Sequence, residues 1–503
     1  MKNIYNYILA ISVLMLSFSC SDDYFDVNSS ETQPSTTGLA PQYRIEGAIE
    51  NTVATAQYRG IREVLGIVQY GSQNTPAYYS ESWNTYLTTG SYYLWQNVYV
   101  YALPNTADLI YLGEQYNSPH YTAVGKILRA YIFGMATDQY GSIVMEDSYD
   151  PERTIILEPE FSTQEEVYER IFLLLDEAIA ELDQESEIGL NDEEGDILFN
   201  GDTEQWKRFA YSIKARYLNH LTKKSSGEHA YDPQAVISAI EKGFTSNQDN
   251  ALIQYGGGEA SNDNQPFSED GYGSTRFDFF SEFFVELLKN PLNIDEEFQD
   301  PRLTRIVTEA ENGGYYGVKT GAGINNDPKL NDADNYSTGY GGFYTSPDSP
   351  TYMMTFSEVK FIEAEAKFRS SDIAGAYAAY KTGVEADLQK LNIPSEEIST
   401  YITKIDEEIG QENFGLTQIF VQKYIANMLN PETWVDFRRM DYSSAIYPGL
   451  ERPDNVNVSI FPNEDDWIRA MMYESNEEAR NYKNMPNNNP AIRLTTPLWW
   501  DTE

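Results

Sequence analysis

The sequence predicts an all-α dominated fold in which helical hairpins support one long irregular segment. Three observations predict it. Apolar residues recur every three to four positions through most of residues 41–243 and again through 355–440, the period of a helix with one buried face. Residues 244–354 lose that period and fill with Gly, Asn, Asp and aromatic side chains. The run IAGAYAAYKTGVEADL at 373–388 is rich in small residues, which let paired helices approach closely.

Each element follows from the same reasoning. From Tyr43 to Ile67 the positions Ile45, Ile49, Val53, Ala56, Ile61, Val64 and Leu65 mark a first helix, slightly weakened by Gly47 and Gly60. An aromatic loop follows. A second helix runs from Tyr92 to Gln115 with Trp95, Val98, Leu103, Ala107 and Ile110 on its apolar side, and Pro104 is expected to kink it. A third spans Tyr121 to Gln139. Ser162 and Glu165 have the spacing of a capping box for a helix carrying Val167, Ile171, Leu174, Leu175 and Ile179. Another covers Thr203 to Lys223, and Asp232-Pro233 supplies the cap and first turn of a short helix ending near Gly243. One helix interrupts the irregular segment at Phe279 to Lys289. Helices return at Phe356 to Phe368, Ile373 to Leu388, Leu416 to Met428 and Glu432 to Met440. Residues 441–503 read as irregular. The hairpin series has the form of degenerate tetratricopeptide-like stacking.

Composition narrows the function. The 503 residues carry 78 acidic and 35 basic side chains, a net charge of -43. Such a surface repels phosphate backbones and anionic lipid, so a nucleic-acid partner is not expected. With 3 His and 1 Cys a His/Cys metal centre is not expected, whereas carboxylate-bound calcium stays open. Aromatic residues make up 14% of the chain, led by 39 Tyr. Tyrosine joins an apolar ring to a hydroxyl, which suits recognition of something flat, polar and uncharged.

The N-terminus reads as an address. Lys2 precedes the apolar run ILAISVLMLSF at Ile8 to Phe18, too short for a membrane span and suited to a signal peptide. Ser19 then precedes Cys20, the only cysteine, in a loose lipoprotein cleavage box with Leu16 one place further out than usual. The expected organisation is a signal peptide at 1–19, a lipidated Cys20 with a polar tether at 20–40, and one domain at 41–503. Within that domain 41–243 and 355–440 are scaffold, 244–354 is a binding-side insertion and 441–503 an irregular C-terminal region.

Several of these segments together resemble the SusD/RagB family of outer-membrane nutrient-binding lipoproteins, closest to its second SusD-like subgroup. The resemblance covers essentially the whole mature chain. It rests on the lipoprotein start, the Met354 to Ala366 helix MTFSEVKFIEAEA, the stretch IFVQKYIA at Ile419 to Ala426 and ETWVDFRR at Glu432 to Arg439. Further marks are Arg452-Pro453, Phe461-Pro462 and the terminal Trp499-Trp500-Asp501. Ser21-Asp22-Asp23 resembles the acidic export signal of surface lipoproteins in Bacteroidetes. The resemblance implies a SusD-like fold with tetratricopeptide-like helix pairs, lipid-anchored in the outer membrane and exposed on the cell surface. It also implies non-catalytic capture of an oligosaccharide for a TonB-dependent outer-membrane transporter, as in polysaccharide utilisation. Capture of a peptide or another nutrient by the same architecture is the alternative. A glycoside hydrolase would need two opposed carboxylates across a cleft.

Sugar rings have apolar faces edged by hydroxyls, so their sites offer aromatic rings with amides, acids or guanidinium groups at the rim. Two loops carry that mixture. The first holds Tyr78, Tyr79, Glu81, Trp83 and Asn84, with Trp95 close behind in sequence. The second holds Tyr272, Arg276, Tyr315, Tyr316, Tyr340, Phe343 and Tyr344. No cofactor is expected. Asn325-Asn326-Asp327 and Asn331-Asp332-Ala333-Asp334 offer oxygen ligands for a structural calcium, but their spacing departs from the standard calcium loop. Gly256-Gly257-Gly258 and Gly341-Gly342 lack the Lys and Ser/Thr of a phosphate loop, and no Gly-x-Ser-x-Gly elbow occurs.

Overall fold

The computed structural model describes residues 39–73, 86, 92–145, 156–191, 195–271, 277–294, 298–324, 332–454 and 456–503. Met1–Ala40 and Pro41–Glu503 are separate units, and the elements below belong to the second.

Helix α1 (Ile45–Val53) continues through a π-helical stretch, Ala54–Gly60, into α2 (Ile61–Val64). After β1 (Gly71–Ser72), α3 (Tyr92–Gln96) likewise continues through a π-helical stretch, Asn97–Ala102, into α4 (Leu103–Gln115). The expected kink at Pro104 is therefore a change of helix type just before it. Proline falls on the second residue of α4, where its missing N–H costs little. Next come α5 (Pro119–Tyr140), α6 (Gln164–Glu181), α7 (Thr203–His220) and α8 (Pro233–Ile240).

The capping box of α6 lies one residue later than its spacing suggested. Thr163 accepts from the Glu166 N–H at 3.3 Å, and Glu166 accepts from the Thr163 N–H at 2.7 Å. Ser162 is committed elsewhere: its backbone pairs with Ile143 in an antiparallel bridge.

Helix α5 is buried along almost its whole length from Tyr121 to Tyr140, with α4 on one side and α6 on another. Apolar residues lie on every side of it, as a central helix requires, and the polar ones, such as Asp138 and Gln139, are buried with them. Gly134 shows how tight the packing is, because a Cβ there would lie 1.8 Å from the Tyr217 hydroxyl oxygen of α7.

The second half opens with two short strands, β2 (Ala251–Ile253) and β3 (Phe279–Phe280), then α9 (Glu282–Lys289) and α10 (Leu303–Ile306). Phe279 and Phe280 are strand rather than helix because Ser281 caps α9 through its hydroxyl, which accepts from the Phe284 N–H at 3.2 Å. Strand β4 (Thr351–Met354) leads into α11 (Phe356–Arg369), α12 (Ile373–Lys390), α13 (Ser395–Glu408), α14 (Leu416–Ala426) and α15 (Glu432–Arg439). The C-terminal region holds only short turns of helix, α16 (Ser475–Arg480) and α17 (Pro490–Arg493) among them. Pairs α7 with α8 and α11 with α12 repeat the hairpin arrangement. Strands β1 and β3 pair antiparallel, as do β2 and β4.

The residues that carry the family resemblance lie in the interior. Arg439 grips Glu365 with both terminal nitrogens at 2.9 Å and Asp436 at 2.6 Å, joining α15 to α11. Arg438 lies flat over the Trp434 ring at 3.8 Å and also faces Trp500 at 4.9 Å, which fastens the C-terminus. Arg302 holds Asp300 and Asp387 at 2.6 Å each, with all three side chains fully buried. Glu363, by contrast, sits at the surface edge between Lys360 and Lys367. Among the described residues no helix is long and apolar enough to cross a membrane.

Candidate ligand-binding site

The irregular segment is organised by β3, a strand of two residues. On one side Phe280 and Phe279 pair with Gly71 and Ser72 of β1. Elsewhere the same short stretch receives two loops of the insertion. Val318 donates to the Phe280 carbonyl at 2.9 Å, and Glu282 donates to the Val318 carbonyl at 3.0 Å. Phe280 donates to the Ser337 carbonyl at 3.1 Å, and Gly339 donates to the Asp278 carbonyl at 3.0 Å. The backbones approach so closely that a Cβ on Gly339 would lie 2.2 Å from the Phe277 carbonyl oxygen. A further bond, from Ser337 to the Tyr316 carbonyl at 2.8 Å, ties the two loops to each other. Phe279, Val318, Ile324 and Tyr336 fill a small apolar cluster beneath them.

This arrangement joins what the sequence keeps apart. The segment containing Tyr78, Tyr79, Trp83 and Asn84 begins just beyond Ser72, and the one containing Tyr272 and Arg276 ends just before Phe277. Those six residues lie outside the described ones. The described flanks are neighbours, since Ser72 pairs with Phe279. Tyr86, the described residue within the first loop, is buried edge-on against Phe461.

Beside β3 lies an open cleft of about 370 Å³. Phe283 and Leu287 give it an apolar side, and Gln69, Glu282, Glu286, Asn290, Asn293 and Thr320 give it polar groups. Two cations also line it, and both are engaged. Lys319 faces Asp454 at 3.2 Å and Glu451 at 3.6 Å. Burial opposes its charge, but the Asp454 hydrogen bond and the acids around it hold the ammonium above its ordinary pKa. Arg452 spends Nη1 on the backbone carbonyls of Phe461, Asn463 and Asp466. The cleft thus presents carboxylates and amides around an apolar side, a donor and acceptor set for hydroxyls rather than for anions.

Tyr316 is connected to this cleft through Lys289. It is 47% exposed, and the Lys289 ammonium lies 4.9 Å from its ring centre and 2.7 Å from Glu286, a cleft residue. Tyr315 and Phe343 are half-buried against the main core. Tyr340 is half-buried on the loop that β3 receives, two residues beyond Thr338, and its carbonyl accepts from Thr308.

Two expected ligand residues are core residues instead. Trp95 is 8% exposed and enclosed by Tyr99, Tyr140, Phe161 and Tyr473, because it continues the inward face of Leu94 and Val98. Tyr344 is 4% exposed, packed edge-to-face on Phe343 and Tyr352 below Lys390. The cleft residues of α9 and its C-cap were missed; Glu282, Glu286 and Asn290 recur at four-residue spacing opposite Phe284 and Leu288, which marks a polar face in the sequence.

Of the suggested calcium ligands, Asp332 caps its own turn through the Asp334 N–H at 3.2 Å, and residues 325–331 lie outside the described ones. One buried group of potential metal ligands does occur, Asp138, His220 and Glu432. Its atoms are already paired: His220 Nε2 is 2.7 Å from Glu432, and Nδ1 is 2.8 Å from the Tyr168 hydroxyl, which donates to Asp138 at 2.7 Å. Burial pushes Asp138 up to about 6 and Glu432 up to about 7, and pushes His220 down to about 3. The ring is therefore neutral at physiological pH, and the carboxyl groups on either side of it take up protons as pH falls through about 7 and about 6.

Comparison with known proteins agrees with this architecture. No curated protein matches the chain. Solved structures do. A SusD/RagB family protein from Bacteroides thetaiotaomicron is 22% identical with a TM-score of 0.70, over 92% of this chain and 99% of that one. A SusD homologue from Bacteroides fragilis is 17% identical with a TM-score of 0.72, over 92% and 100%. A chitin-binding SusD homologue from Flavobacterium johnsoniae is 19% identical with a TM-score of 0.70, over 93% and 98%. At such identities the likeness establishes the fold. A family profile, SusD-like, described as starch-binding and associating with the outer membrane, matches residues 32–460. With most of its length inside that match, the chain belongs to the SusD-like family of outer-membrane-associated proteins.

Proposed function

We propose that the protein captures a neutral oligosaccharide at the cell surface and passes it, chemically unchanged, to a TonB-dependent transporter in the outer membrane, while a lipid on Cys20 holds it there. The family is one of binding proteins rather than enzymes. The observation that carries the ligand reading is the convergence on β3. Loops from three parts of the sequence, rich in Tyr, Trp and Asn, are rooted side by side next to an open cleft whose two cations are already engaged. A polyol finds stacking rings and paired acceptors there, and a polyanion finds no unengaged cation among the described cleft residues. Chitin binding by a homologue of the same fold supports a carbohydrate over a peptide.

The test is a binding screen of residues 21–503 against plant, host-mucin and microbial glycans and mixed oligopeptides, with hits measured by calorimetry and assayed for product. A saturable glycan hit that weakens in Tyr316→Ala or Trp83→Ala, with no product released, supports the reading. Binding of peptides alone would replace the ligand class.

A further inference from the structure

A second open cleft, of about 310 Å³, lies where α6, α7 and the turn after α8 meet, and it shares no lining residue with the cleft beside β3. Glu204, Lys207, Arg208 and Tyr211 enter it from α7 at steps of three and four residues, so they stand on one face of that helix. Ile179 of α6 adds an apolar wall, and Glu241, Lys242 and Thr245 come from the turn after α8. That turn is pinned to α7. A Cβ on Gly243 would lie 2.6 Å from the Ser212 Oγ, the Phe244 N–H donates to the same oxygen at 2.9 Å, and the Phe244 ring stacks on Phe209.

The cations of this cleft keep capacity that those beside β3 do not. Lys207 is spent, held between Asp183 at 2.6 Å and Glu204 at 2.8 Å. Arg208 gives only Nη1 to Asp249, at 3.2 Å, and its other nitrogens have no partner among the described residues. Asp249 is shared, because it also accepts from the Thr245 N–H at 2.6 Å and the Thr245 hydroxyl at 2.7 Å. Lys242 lies 5.2 Å from the centre of the Tyr211 ring and makes no ion pair among the described residues. A ring face holds an ammonium in place without cancelling its charge. Against these two cations stands one lining acid with no ion pair among the described residues, Glu241.

We propose that this cleft is a second ligand site and takes a sugar acid, a polyol bearing one carboxylate. The carboxylate meets Arg208 and Lys242 in charge-assisted hydrogen bonds. The hydroxyls find acceptors in the carboxylates of Asp183, Glu204 and Glu241, and the apolar edge of the sugar finds Tyr211 and Ile179. A polyanion fits less well, because a chain with a net charge of -43 repels it over longer range than two cations attract it. A carboxylate without hydroxyls fits less well too, because it leaves the lining acids without donors. The inference does not rest on what the cleft beside β3 binds.

The experiment titrates the full chain, purified with its anchor in detergent, with galacturonate, with galactose and with N-acetylglycine, followed by saturation-transfer NMR. Galacturonate is expected to bind saturably and galactose about tenfold or more weaker. Lys242→Gln and Arg208→Gln are each expected to weaken galacturonate by about tenfold while melting like the parent. Glu241→Gln is expected to tighten it about two- to fivefold, a gain that a merely structural role would not produce. Tyr316→Ala should leave it unchanged. No saturable galacturonate binding, equal binding of galactose, or indifference to both cation variants would each overturn the proposal. N-acetylglycine binding as tightly as galacturonate would overturn the sugar-acid assignment, and loss of galacturonate binding in Tyr316→Ala would overturn the location. Galacturonate binding with this variant pattern in a protein that takes no neutral glycan would leave this site standing and remove the reading of the cleft beside β3.

Discussion

Replacing Arg439 by Met keeps most of the side-chain volume and removes a guanidinium that makes five hydrogen bonds in the interior: two to Glu365 and one each to Asp436, the Asn219 carbonyl and Thr222. Breaking a buried ion pair from one side costs about 3–5 kcal/mol, because the partner is left buried and uncompensated. Here the partners are not wholly abandoned. Glu365 keeps Arg369 at 2.8 Å and Asn219 at 2.7 Å, and Asp436 keeps Lys423 at 2.8 Å. The loss therefore belongs at the lower end, about 3 kcal/mol. Denaturant unfolding followed by tryptophan fluorescence at pH 7 measures it. The acid limb supplies a second reading. Burial alone would raise the Glu365 carboxyl, but Arg439 and then Arg369 outweigh it and hold the group well below the usual carboxylate range. A depressed carboxyl stabilises the fold above its unfolded pKa near 4.5 and loses that contribution as pH falls through its folded value. Arg439→Met should flatten this acid decline. A loss under about 1 kcal/mol with an unchanged acid limb would refute the claim that this pair fastens α15 to α11.

Other outcomes follow from the same geometry. Asp138 and Glu432 hold protons up to about 6 and about 7, above their unfolded values, so their contribution is complete in acid and is lost as pH rises through that window. His220, held down to about 3, works in the opposite sense below its unfolded value of 6.5, and the two carboxyl groups outweigh it. Net stability from this group should fall from pH 5 to pH 8, and Glu432→Gln should reduce the slope by about 1.4 kcal/mol per pH unit, read from chemical denaturation across that range. Gly134→Ala forces a methyl into the Tyr217 hydroxyl and should cost about 1–3 kcal/mol with a matching drop in melting temperature. Tyr316→Ala should lower glycan affinity about tenfold in calorimetry at unchanged melting temperature, since the ring is half in solvent. Cys20→Ser should move the protein out of the membrane fraction, as judged by blotting.

Much of the fold is legible in the sequence because a helix advertises itself over many residues. The apolar steps of α5, α6 and α7 each span four turns or more, so single ambiguous positions do not matter. Helix α13 escaped notice although Ile398, Tyr401 and Ile405 are its buried stripe. Its β-branched, strongly polar sequence SEEISTYITKIDEE has low helix propensity at the intervening sites, which masks the period. Strands of two residues have no period to detect, so β1 and β3 could not be foreseen, nor could the meeting of the loops they hold. The aromatic residues were identifiable as a group but not individually. Trp95, Tyr316 and Tyr344 differ in what lies across from them, and neighbours distant in sequence decide that.

The attachment of those loops to β3 has a consequence for how this architecture diversifies. The loops are hung from main-chain groups: carbonyls and N–H of Phe280, Glu282, Val318, Ser337 and Gly339 make the joints. A peptide group is the same whatever side chain it bears. Substitutions in the loop tips therefore leave the joints intact, and the ion pairs that fasten the helices lie elsewhere, around Arg302 and Arg439. The protein can change its taste while keeping its skeleton, and an engineer seeking a new ligand would graft into the loop that follows Ser72 and the loop that precedes Phe277 and leave the helices alone.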